Sequence, residues 1–452
     1  MKTQRNNFKR IATILAAVLI LLLAFFGYLS LRKYYAYKDT IHADAELIVK
    51  VDADQLYCDL AMDYLSNLSY YRSKKASSIE SGLNIPSQIF VYTVKSKSAH
   101  TYFCTMPVAD SLLLKSFVKQ RLGITTLKNE GQYLSGRSAN GRLTIAFNAQ
   151  TFALGYAFNG ENVQDVLTDL LNKRNLLSDK DQKIVRLKAL KSHLACVLGN
   201  YTGTGDFKDG QLHVEGDFSL NGFTVNGNSF SHRVFDKDAI VKTWLNVNPS
   251  LNKSFGRIKV KDYEIYPDSL LKYCNGYFDM EMVNPVNQAD TVITYEYNDD
   301  FEKEETLTPR VVKVPGVNGV IAGNVTGLLN YLTRTNIINN SRVNKELFPL
   351  YKFYAKDNQT GILLSTDQQA VTSQLTESTP YFFYLDVDFD KLKSQGQFPL
   401  FEKYIRQLNR LVVKAKSGVV EKVERIKHDP RNHFEIDLYF KRKDVNALGQ
   451  LR

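Results

Sequence analysis

Two stretches of the sequence, ELIVKVDADQL at residues 46–56 and FFYLDVDFDKL at residues 382–392, share the core V-D-x-D-x-L. In both stretches an apolar run predicts a β-strand, and the leucine after the second aspartate predicts the buried face of a helix. An aspartate at such a junction accepts hydrogen bonds from the free N–H groups of the first helical turn. The spacing therefore predicts Asp54 and Asp390 as the N-caps of two helices.

The same aspartates allow a second interpretation, as ligands of a metal ion. In each stretch two carboxylates stand two residues apart, because Asp52 and Asp388 precede the predicted caps. A cation site needs further ligands that converge from elsewhere in the chain. Where the second stretch has a third aspartate, Asp386, the first has Lys50. This difference favours helix capping over metal binding, and Asp52 and Asp388 are expected at the strand ends.

The surrounding chain repeats one pattern, in which a strand or hairpin is followed by an amphipathic helix. A clear example is GRLTIAFN and FALGYAFN followed by GENVQDVLTDLLNK, where Val163, Val166, Leu167 and Leu170 fall on one helical face. Short polar breaks between the strands favour antiparallel hairpins, since parallel pairing needs a longer crossover. The sequence thus predicts an α+β fold of repeated hairpin-helix units, with antiparallel sheets and with helices on one face.

The pattern divides the chain into four regions. Residues 1–38 are expected to hold a cytoplasmic tail, a transmembrane anchor and a juxtamembrane segment, and residues 39–200 a first α+β lobe. Residues 201–314 contain Asp-Gly, Asn-Gly and Gly-Asn pairs between short apolar runs, which predicts a β-rich middle region. Residues 315–452 resume the strand-to-helix pattern and are expected to form a second α+β lobe of related design.

The anchor is predicted from Ile11 to Leu31, a run of 21 residues without a charge. As a helix this run spans about 31 Å, which matches a hydrocarbon core of about 30 Å. The run is longer than the apolar part of a cleaved signal peptide, and tyrosines and bases follow it instead of a small-x-small cleavage motif. Basic residues on its two sides are nearly balanced. We expect the short tail inside the cell and the long C-terminal part in the periplasm, anchored in the inner (cytoplasmic) membrane.

The net charge of +11 is concentrated at the N-terminus. Residues 1–38 contain seven of the 58 Lys and Arg residues and no acidic residue, so the rest of the chain is nearly neutral. A nucleic-acid-binding protein shows a concentrated basic face or run. No such run follows Lys38, and we therefore expect no nucleic-acid partner.

Four cysteines, Cys58, Cys104, Cys196 and Cys274, are spread along the chain, and none forms a C-x-x-C pair. This spacing argues against a zinc ribbon or a thioredoxin-type redox centre. Cys104 and Cys196 lie in apolar runs, which favours buried free thiols over disulfides.

Three other segments carry residue types that catalytic or binding sites use. The Gly-rich stretch Tyr201–Asp206 leads into a predicted strand and not into a helix, so we expect a turn there instead of a phosphate site. Ser135–Ser138 lacks the G-x-S-x-G motif and is expected in a hairpin loop. His428 and His433 suit zinc by their spacing, but no further His or Cys is near them in the sequence. The sequence therefore predicts no catalytic residue, no cofactor and no metal ligand.

The stretch DAELIVKVDADQL at residues 44–56, preceded by an anchor and a short spacer, resembles the start of membrane-anchored bacterial envelope proteins of unknown function. The resemblance implies a location and an architecture of repeated strand-strand-helix units. Together with the anchor it predicts a single-pass, non-enzymatic envelope protein whose extracytoplasmic domain binds a protein, lipid or glycan partner. The alternative is a membrane-tethered hydrolase whose site is assembled from distant residues.

Overall fold

The fold is given by a computed structural model, and the residues it describes are 27–38, 40–72, 80–250, 254–260, 263–297, 301–418 and 431–451. The chain forms two compact units. Unit 1 comprises Met1–Phe207 with Asp444–Gly449, and unit 2 comprises Lys208–Lys443 with Gln450–Arg452.

The core of unit 1 is an antiparallel sheet in the strand order β9-β8-β1-β2-β3-β7-β6-β5-β4. Its strands are β1 (Ala45–Asp52), β2 (Gln88–Val94), β3 (Thr101–Pro107), β4 (Leu127–Asn129), β5 (Leu134–Arg137), β6 (Leu143–Phe147), β7 (Thr151–Ala157), β8 (Leu194–Leu198) and β9 (Tyr201–Lys208). The helices are α1 (residues 27–36), α2 (Ala53–Ser66), α3 (Leu68–Arg72), α4 (Ser111–Gln120), α5 (Gln164–Leu171) and α6 (Gln182–Ala189).

Unit 2 has a second antiparallel run, β10-β26-β25-β24-β13-β17-β18-β22-β21-β20-β19. Its strands up to residue 323 are β10 (Gln211–Phe218), β11 (Phe223–Thr224), β12 (Phe230–Arg233), β13 (Val241–Asn246), β14 (Asn248–Pro249), β15 (Ile258–Val260), β16 (Tyr263–Ile265), β17 (Cys274–Tyr297) and β18 (Lys303–Gly323). The later strands are β19 (Ile338–Asn339), β20 (Arg342–Val343), β21 (Tyr354–Asp357), β22 (Gly361–Ser365), β23 (Thr376–Thr379), β24 (Tyr381–Asp388), β25 (Leu408–Ser417) and β26 (Asn432–Phe440).

The helices of the remaining chain are short, and they are α7 (Pro267–Leu271), α8 (Val325–Arg334), α9 (Phe389–Ser394), α10 (Pro399–Ile405) and α11 (Ala447–Gln450). The predicted α+β class with antiparallel sheets is confirmed. Between residues 201 and 314 the described chain forms β9 to β18 and one helix, α7. The division of the chain at residues 39–200, 201–314 and 315–452 stays a prediction.

The expected placement of all helices on one face of the sheet is wrong for unit 1. Residues of α5 and α6 pack with Ala153 in one apolar cluster, whereas residues of α4 pack with Phe152 in another. Successive residues of a strand point to opposite faces, and Phe152 and Ala153 are neighbours in β7. Helices therefore cover both faces of this sheet, because β6 and β7 carry buried apolar residues on each side.

No helix among the described residues is long and apolar enough to cross a membrane. Residues 11–26 of the predicted anchor lie outside the described residues, and its last five residues, 27–31, open α1.

The N-caps lie two residues before the predicted ones. Asp52 accepts a hydrogen bond from the backbone N–H of Gln55 at 3.1 Å, and Asp388 accepts one from Lys391 at 2.9 Å. The prediction of Asp54 and Asp390 is wrong because each strand runs directly into its helix without a linking residue. The aspartate that ends the strand therefore also caps the helix.

Lys50 and Asp386 occupy matching positions in the two stretches, but they have different partners. The Lys50 side chain is fully buried, and its amine donates hydrogen bonds to the carbonyls of Leu187 and Leu190 at the C-terminal end of α6. A cation there complements the helix dipole. Asp386 instead accepts two hydrogen bonds from Arg410, at 2.7 and 2.6 Å.

The cap assignment predicts a specific loss of stability in the second stretch. Asp388→Ala should lower the free energy of unfolding by roughly 0.5–2 kcal/mol, and Asp388→Ser should stay close to wild type. Chemical denaturation followed by circular dichroism measures both. Asp390→Ala is the matched control, since Asp390 lies in the first turn and forms exposed ion pairs. A larger loss for Asp390→Ala than for Asp388→Ala contradicts the assignment.

Lys50 predicts a pH dependence of stability. Burial, together with the charge of Lys33, lowers the pKa of Lys50 from its usual 10.5 to about 8, and Asp52 opposes the shift. Between these two pH values the unfolded chain binds more protons at this position, so raising the pH stabilises the fold. Relative to Lys50→Met, wild type should gain up to about 1.4 kcal/mol per pH unit in this window.

Urea denaturation at several pH values between 8 and 10 measures this difference, and changes at all other groups cancel. The exposed lysine variant Lys95→Met is the control and should keep the wild-type dependence. A difference between wild type and Lys50→Met that stays constant over the window contradicts the prediction.

Candidate functional site

The helix α1 is paired with the start of α2, within unit 1, through the two aspartates of the first stretch. Arg32 Nη1 lies 3.0 Å from Asp54 Oδ1, and Lys33 Nζ lies 3.5 Å from Asp52 Oδ2. Arg32 Nη2 also donates a hydrogen bond to the carbonyl of Ile85 at 2.8 Å. Burial raises the pKa of Asp54, and the charge of Arg32 partly offsets this rise. Asp52 therefore both caps α2 and pairs with α1.

Next to these ion pairs lies a cavity of about 580 Å³, which we call the α1 groove. It is bounded by α1 on one side and by the segments 84–87, 105–107 and 150–151 on the other. Its volume is within the usual range for small-molecule sites. The apolar side chains that line it are Leu31, Ala36, Ile85, Pro86, Met106 and Pro107.

The charged residues that line the α1 groove are all basic. They are Arg32, Lys38 and Lys173, and no Asp or Glu is among the lining residues. The Lys38 amine lies 4.6 Å from the ring centroid of Tyr34 and 5.6 Å from that of Tyr35, within the range of cation–π attraction. The groove therefore combines an apolar wall with a cationic edge.

One polar group of the groove has an unused hydrogen-bonding capacity. The Ser87 hydroxyl is buried and has no hydrogen-bond partner among the described residues, and the same is true of the side-chain amide of Gln88. Most buried polar side-chain atoms in folded proteins have a partner, so these two groups are exceptions. Ser87 lines the groove, whereas Gln88 is not among its lining residues.

In the sequence, Arg32 and Lys33 are basic residues beside the predicted anchor, and no local pattern connects them with the V-D-x-D core. One signal was present, since two adjacent bases precede two aspartates in a chain segment of about 20 residues. Charge complementarity alone does not select these partners among the many acidic residues of the chain. The contact depends on the fold of unit 1, which brings the start of α2 beside α1.

Two segments singled out in the sequence are strands, not loops. Tyr201–Asp206 lies in β9, where Gly203 pairs with Cys196, so the expectation of a turn is wrong. Most of Ser135–Ser138 lies in β5, which pairs with β4 and β6, so the expected hairpin loop is wrong there as well. In both cases a glycine, Gly203 or Gly136, lies within a strand because residues of the neighbouring strands pair with it.

All four cysteines are free thiols. The prediction of a buried free thiol is confirmed for Cys104, where burial raises the pKa of the thiol to about 12. Cys196 is free but only partly buried.

Four histidines of the described chain contact carboxylates, namely His42, His193, His213 and His433. His433 lies in β26 with Nδ1 3.2 Å from Asp217 Oδ1, and on the same pair of strands His213 Nδ1 lies 2.7 Å from Asp437 Oδ1. Its predicted companion His428 lies outside the described residues. Within those residues no group of three or more His, Cys, Asp or Glu is arranged to hold a metal ion.

His193 has the contacts of a structural residue. Its Nε2 lies 2.7 Å from Asp59 Oδ2, and its Nδ1 accepts a hydrogen bond from the backbone N–H of Phe207 at 3.2 Å. Asp206 Oδ1 also lies 3.1 Å from its Nδ1. None of these partners is a serine or a cysteine, so this histidine does not activate a nucleophile in the way that a catalytic triad does.

Unit 2 contains a buried ionic network in which the charged groups are hydrogen-bonded to one another. The Arg233 guanidinium donates to Asp279 at 2.8 Å and to Glu281 at 2.9 Å, and all three side chains are buried. Tyr277 also donates to Asp279, at 2.7 Å. Since each charge is paired and hydrogen-bonded, the network connects β12 with β17 and leaves none of these groups free for a ligand.

A larger cavity of about 1040 Å³ lies in unit 2, at the base of the two-stranded ribbon formed by β17 and β18. Gln288 lines it, and its amide donates to the carbonyls of Lys352 and Thr366 at 2.7 and 2.6 Å. Its lining mixes aromatic rings, amides and charges of both signs. None of its described lining residues has a buried polar side-chain atom without a partner. The α1 groove is therefore the stronger candidate site.

Comparison with known proteins adds little to this description. No protein-family model matches the sequence, and no curated protein matches it. The chain is similar over 41% of its length to a structure of TP0453 in crystal form I, with 6% identity, 79% of that chain covered and a TM-score of 0.27. For crystal form IV of TP0453 the values are 39%, 8%, 77% and 0.25. Similarity at this level carries no argument about fold or function.

The ion pair between α1 and α2 predicts a measurable coupling. In a double-mutant cycle of Arg32→Ala and Asp54→Ala, the coupling in the free energy of unfolding should be about 0.2–1 kcal/mol, because both side chains are partly exposed. The control cycle combines Lys38→Ala with Asp54→Ala and should give a coupling near zero. Equal coupling in the two cycles would contradict a specific Arg32–Asp54 ion pair. It would show that Asp54 interacts only with the overall positive charge of residues 32–38.

Proposed function

We propose that the protein is a single-pass protein of the cytoplasmic membrane, with its N-terminus inside and a non-enzymatic extracytoplasmic domain that binds a component of the membrane. The uncharged run Ile11–Leu31 supports the anchor by its length. We further propose that residues 39–200 and 315–452 are related lobes. Their matching strand-to-helix junctions, capped by Asp52 and Asp388, support this relation.

The observation that carries the proposal is the attachment of α1 to the start of α2. Arg32 and Lys33 follow directly after the uncharged run, and both are paired with aspartates at the start of α2. Leu31 is the last residue of that run and also lines the α1 groove. If the run spans the membrane, a helix fixed in this way holds the groove next to the bilayer surface.

No specific observation favours the alternative, a membrane-tethered hydrolase. Among the described residues the best-placed histidine, His193, is bonded to carboxylates and backbone groups. A groove with apolar walls, basic edges and an unpaired hydroxyl is instead typical of a binding site. Binding of an amphiphile from the membrane is thus the function that its chemistry supports best.

The proposed topology is tested by a fusion of alkaline phosphatase to the C-terminus of the full chain. We expect an active fusion that stays in the membrane fraction after alkaline carbonate extraction, and an intact mass that includes the N-terminal residues. The control is the double variant Leu21→Arg and Leu22→Arg, which places charges in the uncharged run and should release the protein. An inactive fusion, or a mature protein that begins near residue 35, contradicts the proposal.

A further inference from the structure

The α1 groove has the features of a site for one particular class of amphiphile. Its apolar wall is formed in part by Leu31, Ile85 and Met106, and Leu31 and Ile85 have 52% and 38% of their surface exposed. Exposed apolar side chains gathered around a cavity mark a site for an apolar ligand. A hydrocarbon chain suits such a wall because it needs contact and exclusion of water but no hydrogen bonds.

The edge of the groove indicates the charge of the ligand. Lys38 and Lys173 are exposed and Arg32 is partly exposed, and no acidic residue lines the groove. Basic side chains close to a membrane surface attract anionic lipid head groups. Since Asp54 already pairs with Arg32, the two lysines are the cations best placed to meet a ligand's negative charge.

The unpaired hydroxyl of Ser87 adds a polar group beside the groove. The hydroxyl is buried and lacks a hydrogen-bond partner among the described residues, and Ser87 is one of the residues that line the cavity. A serine hydroxyl donates one hydrogen bond and accepts others. After rotation of the Ser87 side chain toward the groove, the ester carbonyl or phosphate oxygen of a phospholipid is an acceptor for this hydroxyl.

We propose that the α1 groove binds an anionic bilayer phospholipid, with an acyl chain against Leu31, Ile85 and Met106 and its head group near Lys38 and Lys173. This inference rests on the proposed function, because the bilayer supplies the lipid. Leu31 connects the groove with the proposed anchor, because it is the last residue of the uncharged run and also lines the groove. The ligand is therefore a lipid of the same membrane, and a free fatty acid is a competing source of the same chemistry.

The test uses the full chain in dodecyl maltoside, titrated with palmitoyl-oleoyl phosphatidylglycerol and followed by native mass spectrometry. The control lipid is phosphatidylcholine with the same acyl chains, and the competing ligand is palmitate. We expect one tightly bound phosphatidylglycerol per chain, with an affinity about tenfold above that of phosphatidylcholine, because two cations contribute to the head-group site. Equal binding of the two lipids, or displacement of phosphatidylglycerol by palmitate at equal concentration, overturns the proposal.

Three variants assign the binding to the groove. Ile85→Glu places a charge in the apolar wall and should weaken phosphatidylglycerol binding at least about tenfold, whereas Val185→Glu, at an exposed position outside the groove, should not. Lys173→Glu should remove most of the preference for phosphatidylglycerol, whereas Lys180→Glu should keep it. Ser87→Ala should lower the affinity about fivefold without lowering the melting temperature.

The outcomes distinguish failure of the proposed lipid site from failure of the proposed membrane anchor. Lys173 is exposed, so its variant tests the proposal even if Ile85→Glu fails to fold. All groove variants should remain in the membrane fraction, and loss of lipid binding with retained membrane attachment supports the groove and leaves the anchor proposal intact. Unchanged lipid affinity in folded Ile85→Glu and Lys173→Glu contradicts the lipid site alone. Release of wild type from the membrane contradicts the proposed function instead.

Discussion

The junction at which β1 ends and α2 begins is the constraint on which the candidate site depends. Asp52 accepts a hydrogen bond from the first turn of α2, and the strand continues into the helix without a linker. This arrangement fixes Asp52 and Asp54 on one side of unit 1, where Lys33 and Arg32 of α1 meet them. Without that pairing α1 would have no ionic attachment to the start of α2, and the groove would lose one of the contacts that hold its α1 wall.

The second V-D-x-D stretch shows which part of this arrangement belongs to the motif and which belongs to unit 1. Asp388 caps α9 in the same way that Asp52 caps α2, so the cap is common to both stretches. The partners of the following aspartate differ, since Asp390 pairs with Lys393 in its own helix at 2.8 Å. The motif thus explains the turn from strand to helix, whereas the binding of α1 depends on the partners that unit 1 places nearby.

Much of the fold could be predicted because it depends on local patterns, whereas the site could not. Alternating apolar residues and short polar breaks predicted the antiparallel hairpins correctly. The predicted N-cap positions were wrong by two residues because the sequence does not reveal whether a linker separates a strand from its helix. The pairing of Arg32 with Asp54, and the burial of the Ser87 hydroxyl without a partner, arise from contacts between separate segments of the chain. Such contacts follow from the tertiary packing, so no local pattern indicates them.

The central claim, that the α1 groove lies at the bilayer surface, is tested most directly by depth-dependent fluorescence quenching. Trp244 is the only tryptophan of the chain, so a Trp244→Phe background with Ile85→Trp reports from the groove alone. The full chain is reconstituted into vesicles of phospholipids that carry bromine either near the head group or near the end of the acyl chain. The account predicts strong quenching by bromine near the head group and weak quenching by bromine at the chain end. Absence of quenching by either lipid would contradict it.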